Sequence, residues 1–142
     1  MENDRADMAT LAVPLDDDSA FRSPDVVKVV TDDEGRALYF SRAPIPWPRD
    51  DASRRAPAEA RQHVGLYAYR REFLERFCSW EPTPLERLES LEQLRALEHG
   101  AEIRVVEGTR RGPGVDRPED LAVVNELMRE RLAHAGGPTE SD

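Results

Sequence analysis

The chain has 142 residues, of which 39% are hydrophobic and 35% are charged, and its formal net charge at neutral pH is -9. This length supports one domain with a modest core. The acidic balance argues against a nucleic-acid-binding protein, because no basic stripe is available to neutralise phosphates. The sequence contains no run of about 20 apolar residues, so it predicts no membrane span. Residues 1–7 lack the pattern of a signal peptide. We therefore expect a cytoplasmic protein.

Three strands are predicted in the first third of the chain. Residues 8–15 form a short strand that ends at a proline and an acidic run. Residues 26–31 are rich in β-branched side chains, residues 32–35 are an acidic turn ending in glycine, and residues 37–42 lead away again. This order of segments is the pattern of a β-hairpin.

Alternation predicts which side chains share a face of each strand. In the hairpin, Arg42 is expected on the apolar face with Leu38 and Phe40. Residues 63–70 form a further strand, with imidazole and phenol groups on one side and an apolar side that should face the core. The polar side carries His63, Gly65, Tyr67 and Tyr69, and the apolar side carries Val64, Leu66 and Ala68. The polar groups could hydrogen-bond a polyhydroxylated ligand, or pack under a neighbouring layer with their polar atoms satisfied internally.

Two helices are predicted next. Residues 71–79 form a short helix that contains the chain's one cysteine, Cys78, which we expect to be a small buried hydrophobe and not a nucleophile. Residues 83–86, Thr-Pro-Leu-Glu, combine an N-cap, a proline at the first helical position and a capping-box glutamate. The helix they begin should end at Gly100. Its leucines recur every third residue, so it is expected to contact the core over a broad arc.

Glu92 lies on or beside the buried side of this helix, where a carboxylate needs a partner. Two partners remain open at this point. Arg95, three residues further on, is within reach of an intrahelical pair. Alternatively, Glu92 and the adjacent Gln93 hydrogen-bond the hydroxyl groups of a ligand.

A glycine-rich loop at residues 112–114 delivers Asp116 to the start of a last helix, residues 118–133. Asp116 and Glu119 have the spacing of a capping box, in which each side chain satisfies a backbone N–H. The other interpretation makes the Asp116 carboxylate a ligand for a magnesium ion that also holds nucleotide phosphates.

The residues alone predict an α/β or α+β fold over residues 1–134, followed by a disordered tail at residues 135–142. A polar site is possible within that single domain. Its candidate residues are Arg42, His63, Tyr67, Glu92 and Asp116.

The same segments, taken together, resemble the C-terminal part of the 3-deoxy-manno-octulosonate cytidylyltransferases, the CMP-Kdo synthetases of lipopolysaccharide assembly. They occur in family order, from about residue 7 to residue 126. The most specific are the run Tyr-Phe-Ser-Arg-Ala-x-Ile-Pro-Trp that begins at Tyr39 and the run Leu-Glu-Gln-Leu-Arg at residues 91–95. The other matching segments are residues 8–14, 26–30, 63–70, 84–86 and 114–121.

The resemblance implies the C-terminal portion of a nucleotide-diphospho-sugar transferase-like, Rossmann-like mixed sheet with a β-hairpin and three helices. It also implies a homodimer and a magnesium-dependent transfer, in which the anomeric hydroxyl of Kdo attacks the α-phosphate of CTP to give CMP-Kdo and pyrophosphate. By the same resemblance, Asp116 is the catalytic, Mg²⁺-binding aspartate. The substrate-binding set that it implies consists of Arg42, His63, Tyr67, Glu92 and Gln93.

The family's N-terminal half, which carries its nucleotide loop and a further metal-binding motif, has no counterpart in this sequence. We therefore expect an isolated chain that is inactive or nearly so, with apolar surface exposed where that half would pack. The leading interpretation is a truncated enzyme or one half of a split enzyme. A stand-alone Kdo-binding or dimerisation module without catalysis is the alternative.

Overall fold

The computed structural model describes residues 6–49 and 55–108. Within these ranges the chain forms five strands and four helices. The strands are β1 (Met8–Pro14), β2 (Lys28–Thr31), β3 (Ala37–Ser41), β4 (Arg61–Tyr69) and β5 (Ile103–Glu107). The helices are α1 (Asp18–Arg22), α2 (Arg71–Ser79), α3 (Pro84–Glu89) and α4 (Gln93–Glu98). The α/β class, the hairpin and the helix at residues 71–79 are confirmed, whereas Asp116, the helix at residues 118–133 and the predicted tail lie outside the described residues.

The five strands form one mixed sheet in the order β3-β2-β4-β1-β5. β1 is parallel to β5 and antiparallel to β4, and β2 is antiparallel to both β3 and β4. The turn of the β2–β3 hairpin lies against the outer side of β5, where Val105 donates its N–H to the carbonyl of Gly35 at 2.9 Å. Gly35 has a φ of 77° and a backbone that approaches Val105 closely, so a side chain at this position would be strained.

The main hydrophobic cluster lies between one face of this sheet and helices α2 and α4. The strands and helices contribute buried side chains to it, and none of the described helices is long and apolar enough to cross a membrane. Its principal members are Met8, Ala12, Val29, Phe40 and Ile103 from the sheet, with Phe73, Phe77, Leu91, Leu94 and Ala96 from the helical side. Burial of this kind supplies most of the stability of a domain of this size.

Two strand faces differ from the prediction. In β3, the register with β2 shifts between Val30 and Thr31, so Leu38 falls at an irregularity and is 61% exposed while Phe40 is buried. Leu38 therefore does not share the apolar face of Phe40, because a bulge breaks the two-residue alternation. In β4, the face expected to be apolar core is the uncovered one, since Leu66 is 61% exposed and Tyr67 packs against the main cluster.

The helix predicted from residue 83 to Gly100 is two helices. α3 ends at Ser90, which adopts a left-handed conformation with φ 53°, and the N–H of Leu91 bonds back to the carbonyl of Glu86 at 3.2 Å. This backbone pattern is a Schellman-type helix end. Leucines spaced three residues apart do not stay on one face of a helix. Because the helix ends at Ser90, the leucines of this repeat need not all be buried. Leu88 is accordingly 81% exposed.

Two smaller predictions also fail. Cys78 is exposed, because the buried face of α2 is formed by Phe73 and Phe77, and the next position after Phe77 turns toward solvent. Helix α1 was not expected within the acidic run. It forms because Asp17 is its N-cap, whose carboxylate accepts the N–H of Ala20 at 2.7 Å.

The helix break gives a direct test with two leucines from the same repeat. We expect Leu94→Ala to lower the free energy of unfolding by about 2–5 kcal/mol, because Leu94 is fully buried. Leu88→Ala should change it by less than about 0.5 kcal/mol, because that side chain is in solvent. Denaturant unfolding of both variants measures the difference, and equal losses would mean that one continuous helix buries both leucines.

Candidate functional site

The junction between α3 and α4 is held against the end of β3 by the carboxylate of Glu89. Ser41 donates its hydroxyl to Glu89 Oε1 at 2.6 Å, and Arg42 donates its backbone N–H to Oε2 at 2.9 Å. Burial raises the pKa of the Tyr39 hydroxyl, and the charge of Glu89, to which Tyr39 hydrogen-bonds, raises it further. Glu89 therefore fixes where the following residues, Ser90 to Gln93, lie over the sheet.

The guanidinium of Arg42 strengthens the same junction. Its Nε donates to the carbonyl of Glu89 at 2.7 Å, Nη1 donates to the carbonyl of Pro24 at 2.9 Å, and Nη2 approaches the carbonyl of Ser90 at 3.4 Å. The carbonyls of Glu89 and Ser90 lie at the end of α3, where backbone carbonyls lack a partner within the helix, so Arg42 satisfies them. A guanidinium has five N–H groups, and three are used in this way. The group is held in one orientation and keeps donors for a negatively charged ligand.

Lys28 ties the adjacent backbone together from inside the protein. Its ammonium is fully buried and donates to the carbonyls of Ser23 at 2.8 Å, Val26 at 2.5 Å and Arg42 at 2.6 Å. Burial lowers the pKa of Lys28, and the negative charge of Glu89 opposes that effect. Because all three N–H groups are satisfied by backbone, Lys28 is a structural residue. Its only sequence signal is a lysine inside the β-branched run of residues 26–30.

His63 lies on the covered face of β4, and Thr10 of β1 holds its ring. Thr10 Oγ1 is 2.9 Å from His63 Nε2, 2.8 Å from the carbonyl of Leu66 and 3.2 Å from that of Val64. The hydroxyl has a single hydrogen, and a carbonyl can only accept one. The contacts with the carbonyls and with the ring are therefore satisfied together only when the hydroxyl donates to a carbonyl and His63 Nε2 donates to Thr10. In the neutral ring, Nδ1 is then the acceptor.

The bulge in β4 makes this contact possible. The register between β1 and β4 shifts between Thr10 and Leu11, so that Thr10 is opposite Tyr67 while Leu11 is opposite Val64. The two additional residues in β4 are Gly65 and Leu66. They bring the carbonyls of Val64 and Leu66 toward the Thr10 hydroxyl. Thr10 was not among the predicted site residues, because no local pattern connects it with a histidine 53 positions away.

Tyr67 and Glu92 lie close to this imidazole. The rings of His63 and Tyr67 have centroids 5.4 Å apart, and Phe40 packs against His63 from another side at 5.0 Å. Burial raises the pKa of Tyr67 well above its usual value, and the charges of Tyr69 and Glu92 raise it further. The Tyr67 hydroxyl is therefore neutral and can both donate and accept. Glu92 is exposed, and its charge adds to burial in raising the pKa of Tyr69 as well.

Gln93 follows Glu92 and is the first residue of α4. The residue is only 4% exposed, and its side-chain Nε2 has no hydrogen-bond partner within the part of the chain that the structure describes. A buried amide without a partner costs about 1–3 kcal/mol. This amide is therefore a candidate for a hydrogen bond to a group that is absent from the described residues.

Arg95 is not paired with Glu92. It binds the carboxylate of Glu86 with two hydrogen bonds, Nη2 to Oε1 at 2.6 Å and Nε to Oε2 at 2.8 Å, and donates Nη1 to the carbonyl of Trp80 at 3.1 Å. The hydrogen bonds from Arg95 hold the pKa of the Glu86 carboxyl below its usual range. Glu86 also accepts the N–H of Thr83 at 3.1 Å, which is the capping contact expected from the sequence.

Pairwise contacts and charges connect several members of the predicted set. Arg42 and His63 are linked through β2, since Lys28 donates to the carbonyl of Arg42 and the N–H of His63 bonds the carbonyl of Val27 at 2.8 Å. His63 is next to Tyr67, the charge of Glu92 acts on Tyr67, and Gln93 is adjacent to Glu92. Asp116 lies outside the described residues, so its relation to these groups is not part of the structure.

The Thr10–His63 contact predicts a defined tautomer. In the unchanged protein at neutral pH, ¹⁵N NMR of the imidazole should show the hydrogen on Nε2. Thr10→Val keeps the shape of the side chain but removes the acceptor, so the Nε2–H fraction should fall, and the free energy of unfolding should drop by about 1–3 kcal/mol. Thr10→Ser, which restores the hydroxyl, is the matched control. A hydrogen on Nδ1 in the unchanged protein would contradict the assignment.

Known proteins support a family assignment. The sequence model of a family described as cytidylyltransferase matches residues 1–103. The 3-deoxy-manno-octulosonate cytidylyltransferase of Vibrio cholerae serotype O1 is 48% identical over 130 residues, which are 89% of this chain and 52% of that protein. The enzyme of the same name from Syntrophotalea carbinolica is 55% identical over 127 residues, 86% of this chain and 51% of that protein.

A solved structure agrees with these relatives. It is described as CMP:2-keto-3-deoxy-manno-octonic acid synthetase complexed with CTP, and it is 42% identical to this chain with a TM-score of 0.81. The match covers 89% of this chain and 51% of that one. The chain therefore spans about half the length of the relatives it matches, and its mixed sheet with flanking helices has the same fold as that part of the solved structure. On this evidence of sequence and fold, the chain belongs to the cytidylyltransferase family.

Proposed function

We propose that this chain is the sugar-binding portion of an enzyme that forms CMP-Kdo and pyrophosphate from CTP and 3-deoxy-manno-octulosonate. The names of its relatives support this substrate pair. The observation that carries the proposal is the buried Gln93 amide, whose Nε2 has no hydrogen-bond partner among the described residues and which directly follows the exposed Glu92 in the sequence. A polyhydroxylated sugar acid supplies the hydrogen-bond acceptors and donors that such groups require.

Each group of the site suits one part of that sugar. Arg42, held by the backbone of α3 and of Pro24, has N–H groups left for a carboxylate. The His63 imidazole is held by Thr10 beside Tyr67, and the neutral Tyr67 hydroxyl can donate or accept. Glu92 accepts hydroxyl hydrogens. Because Arg42 and His63 are fixed by contacts within the protein, they bind a ligand without much further loss of conformational entropy.

In the proposed reaction, the anomeric oxygen of the sugar forms a bond to the α-phosphorus of CTP. The bond from that phosphorus to the bridging oxygen of the β-phosphate breaks, pyrophosphate leaves, and the hydroxyl proton is released. The described residues contribute sugar binding and orientation to this reaction, which brings the attacking oxygen to the nucleotide. The relatives are about twice as long as this chain, and we infer that binding of CTP depends on the half that has no match here.

The proposed Mg²⁺ site rests on Asp116. Within residues 6–49 and 55–108, no group of three or more histidine, cysteine, aspartate or glutamate side chains could hold a metal ion. A single carboxylate binds Mg²⁺ weakly unless phosphate oxygens complete the coordination. We therefore propose that the ion binds together with CTP, and that the active form is a homodimer, as the family resemblance implies.

Calorimetry with the 142-residue chain tests the sugar site. We expect binding of 3-deoxy-manno-octulosonate without CTP, and no tight binding of CTP with Mg²⁺. Gln93→Leu should weaken sugar binding at least about tenfold, which corresponds to roughly 1.4 kcal/mol. The same change should raise the free energy of unfolding by about 1 kcal/mol, because it removes a buried polar group without a partner.

Weaker sugar binding together with a higher free energy of unfolding would separate the effect of Gln93→Leu on binding from its effect on folding. Gln62→Leu is the matched control, since it makes the same change in β4, on the strand that carries His63, and should leave sugar affinity within about twofold. Unchanged sugar affinity in Gln93→Leu, or tight binding of CTP by this chain alone, would refute the proposed division of the two substrates.

A further inference from the structure

Glu89 contacts Arg42, the residue assigned to the carboxylate of the sugar, at two points. The Nε of Arg42 donates to the backbone carbonyl of Glu89 at 2.7 Å, and the backbone N–H of Arg42 donates to Glu89 Oε2 at 2.9 Å. By its charge alone, a carboxylate at this place would repel an anionic ligand and weaken its binding. The side chain of Glu89 therefore needs an explanation other than direct attraction of the ligand.

The Glu89 carboxylate binds three donors at the end of β3. Oε1 accepts the hydroxyl of Ser41 at 2.6 Å, Oε2 accepts the N–H of Arg42, and the hydroxyl of Tyr39 is the third donor. Ser41 is buried, so its contact with Glu89 is shielded from water. An ionised acceptor makes stronger hydrogen bonds than a neutral one. The carboxylate therefore holds the last residues of β3 firmly against the end of α3.

The buried ammonium of Lys28 opposes the charge of Glu89. Lys28 donates to the carbonyl of Arg42 at 2.6 Å, and the negative charge of Glu89 favours its protonated form. The backbone of Arg42 therefore has a cation on its carbonyl and a carboxylate on its N–H. Together with the guanidinium, these two charges leave a single net positive charge, which suits a ligand with one carboxylate.

Glu89 also begins the segment that carries two other candidate groups. It is the last residue of α3, and Ser90 follows it in a left-handed conformation with φ 53°. Glu92 and Gln93 come next, at the start of α4. The Nη2 of Arg42 approaches the carbonyl of Ser90 at 3.4 Å, so the guanidinium is bonded to this segment as well. Arg42 on one side and Gln93 on the other are thus connected through Glu89.

We propose that Glu89 is a positioning residue, whose carboxylate locks the end of β3 to the end of α3 so that Arg42 and the Glu92–Gln93 segment contact one sugar acid together. This inference rests on the proposed function, because their separation matters only if one ligand contacts both. Glu89 acts through these residues and not on the ligand itself. Its negative charge costs some attraction for an anion, and the fixed orientation of the binding groups offsets that cost.

The neutral isostere distinguishes positioning from charge. If Glu89 acted through its charge alone, Glu89→Gln would strengthen the binding of an anionic sugar. Positioning has the opposite sign, so calorimetry with the 142-residue chain should show binding of 3-deoxy-manno-octulosonate at least about fivefold weaker. Glu86→Gln is the matched control, since it makes the same change on the same helix, where the carboxylate binds Thr83 and Arg95. It should leave sugar affinity within about twofold.

The orientation of Arg42 is measured without sugar. Its Nε–H, identified by its absence from Arg42→Lys, should give a ¹⁵N–¹H NMR signal that exchanges slowly with water, because of the 2.7 Å bond to Glu89. Exchange should be at least about fivefold faster in Glu89→Gln and unchanged in Glu86→Gln. Ser41→Ala removes one donor to Glu89 without changing any charge. It should move both measurements in the same direction as Glu89→Gln, and it supplies the test if Glu89→Gln does not fold.

The two measurements keep the positioning role separate from the proposed function. Sugar affinity that is unchanged or higher in Glu89→Gln, equal losses in Glu89→Gln and Glu86→Gln, or an Arg42 signal that does not respond would overturn the proposal. An unchanged chain that binds no sugar, but whose Arg42 signal responds to Glu89→Gln and not to Glu86→Gln, would count against the proposed function and support the positioning role.

Discussion

The buried ammonium of Lys28 is the constraint on which the arrangement of the site depends. It holds the carbonyls of Ser23, Val26 and Arg42, so the segment before β2 and the end of β3 cannot separate. Arg42 is thereby placed so that its side chain reaches the carbonyl of Glu89 at the end of α3, and the Arg42 backbone N–H donates to the Glu89 carboxylate. A buried cation is costly unless all of its donors are satisfied. Here one such cation binds three carbonyls and fixes both segments.

Much of the fold follows from local patterns in the sequence. The β-hairpin, the strand that carries His63 and helix α2 each have a clear periodicity or turn signal, and each forms as predicted. The failures in β3 and in the predicted long leucine helix share one cause, which is that a period of two or of 3.6 says nothing about where the period is interrupted. The bulge at Leu38 and the left-handed Ser90 are interruptions at a single position.

The candidate site likewise has residues that the sequence predicts and residues that it does not. The family pattern in the sequence supplied Arg42, His63, Tyr67, Glu92 and Gln93. The residues that hold them in place, Thr10, Lys28 and Glu89, were not foreseen. Glu89 contacts Ser41 across 48 positions and Thr10 contacts His63 across 53, and such pairs leave no trace in a window of local sequence. Chemistry that is carried by one motif can be inferred from the sequence, whereas the support of that chemistry needs the tertiary structure.

The Thr10 hydroxyl connects the two sides of the sheet. It bonds the imidazole on the covered side of the sheet and the carbonyl of Leu66, whose side chain is 61% exposed on the opposite side. A single hydroxyl therefore links the bulge of β4 to the orientation of the ring, so that a change in the shape of the bulge also turns the imidazole.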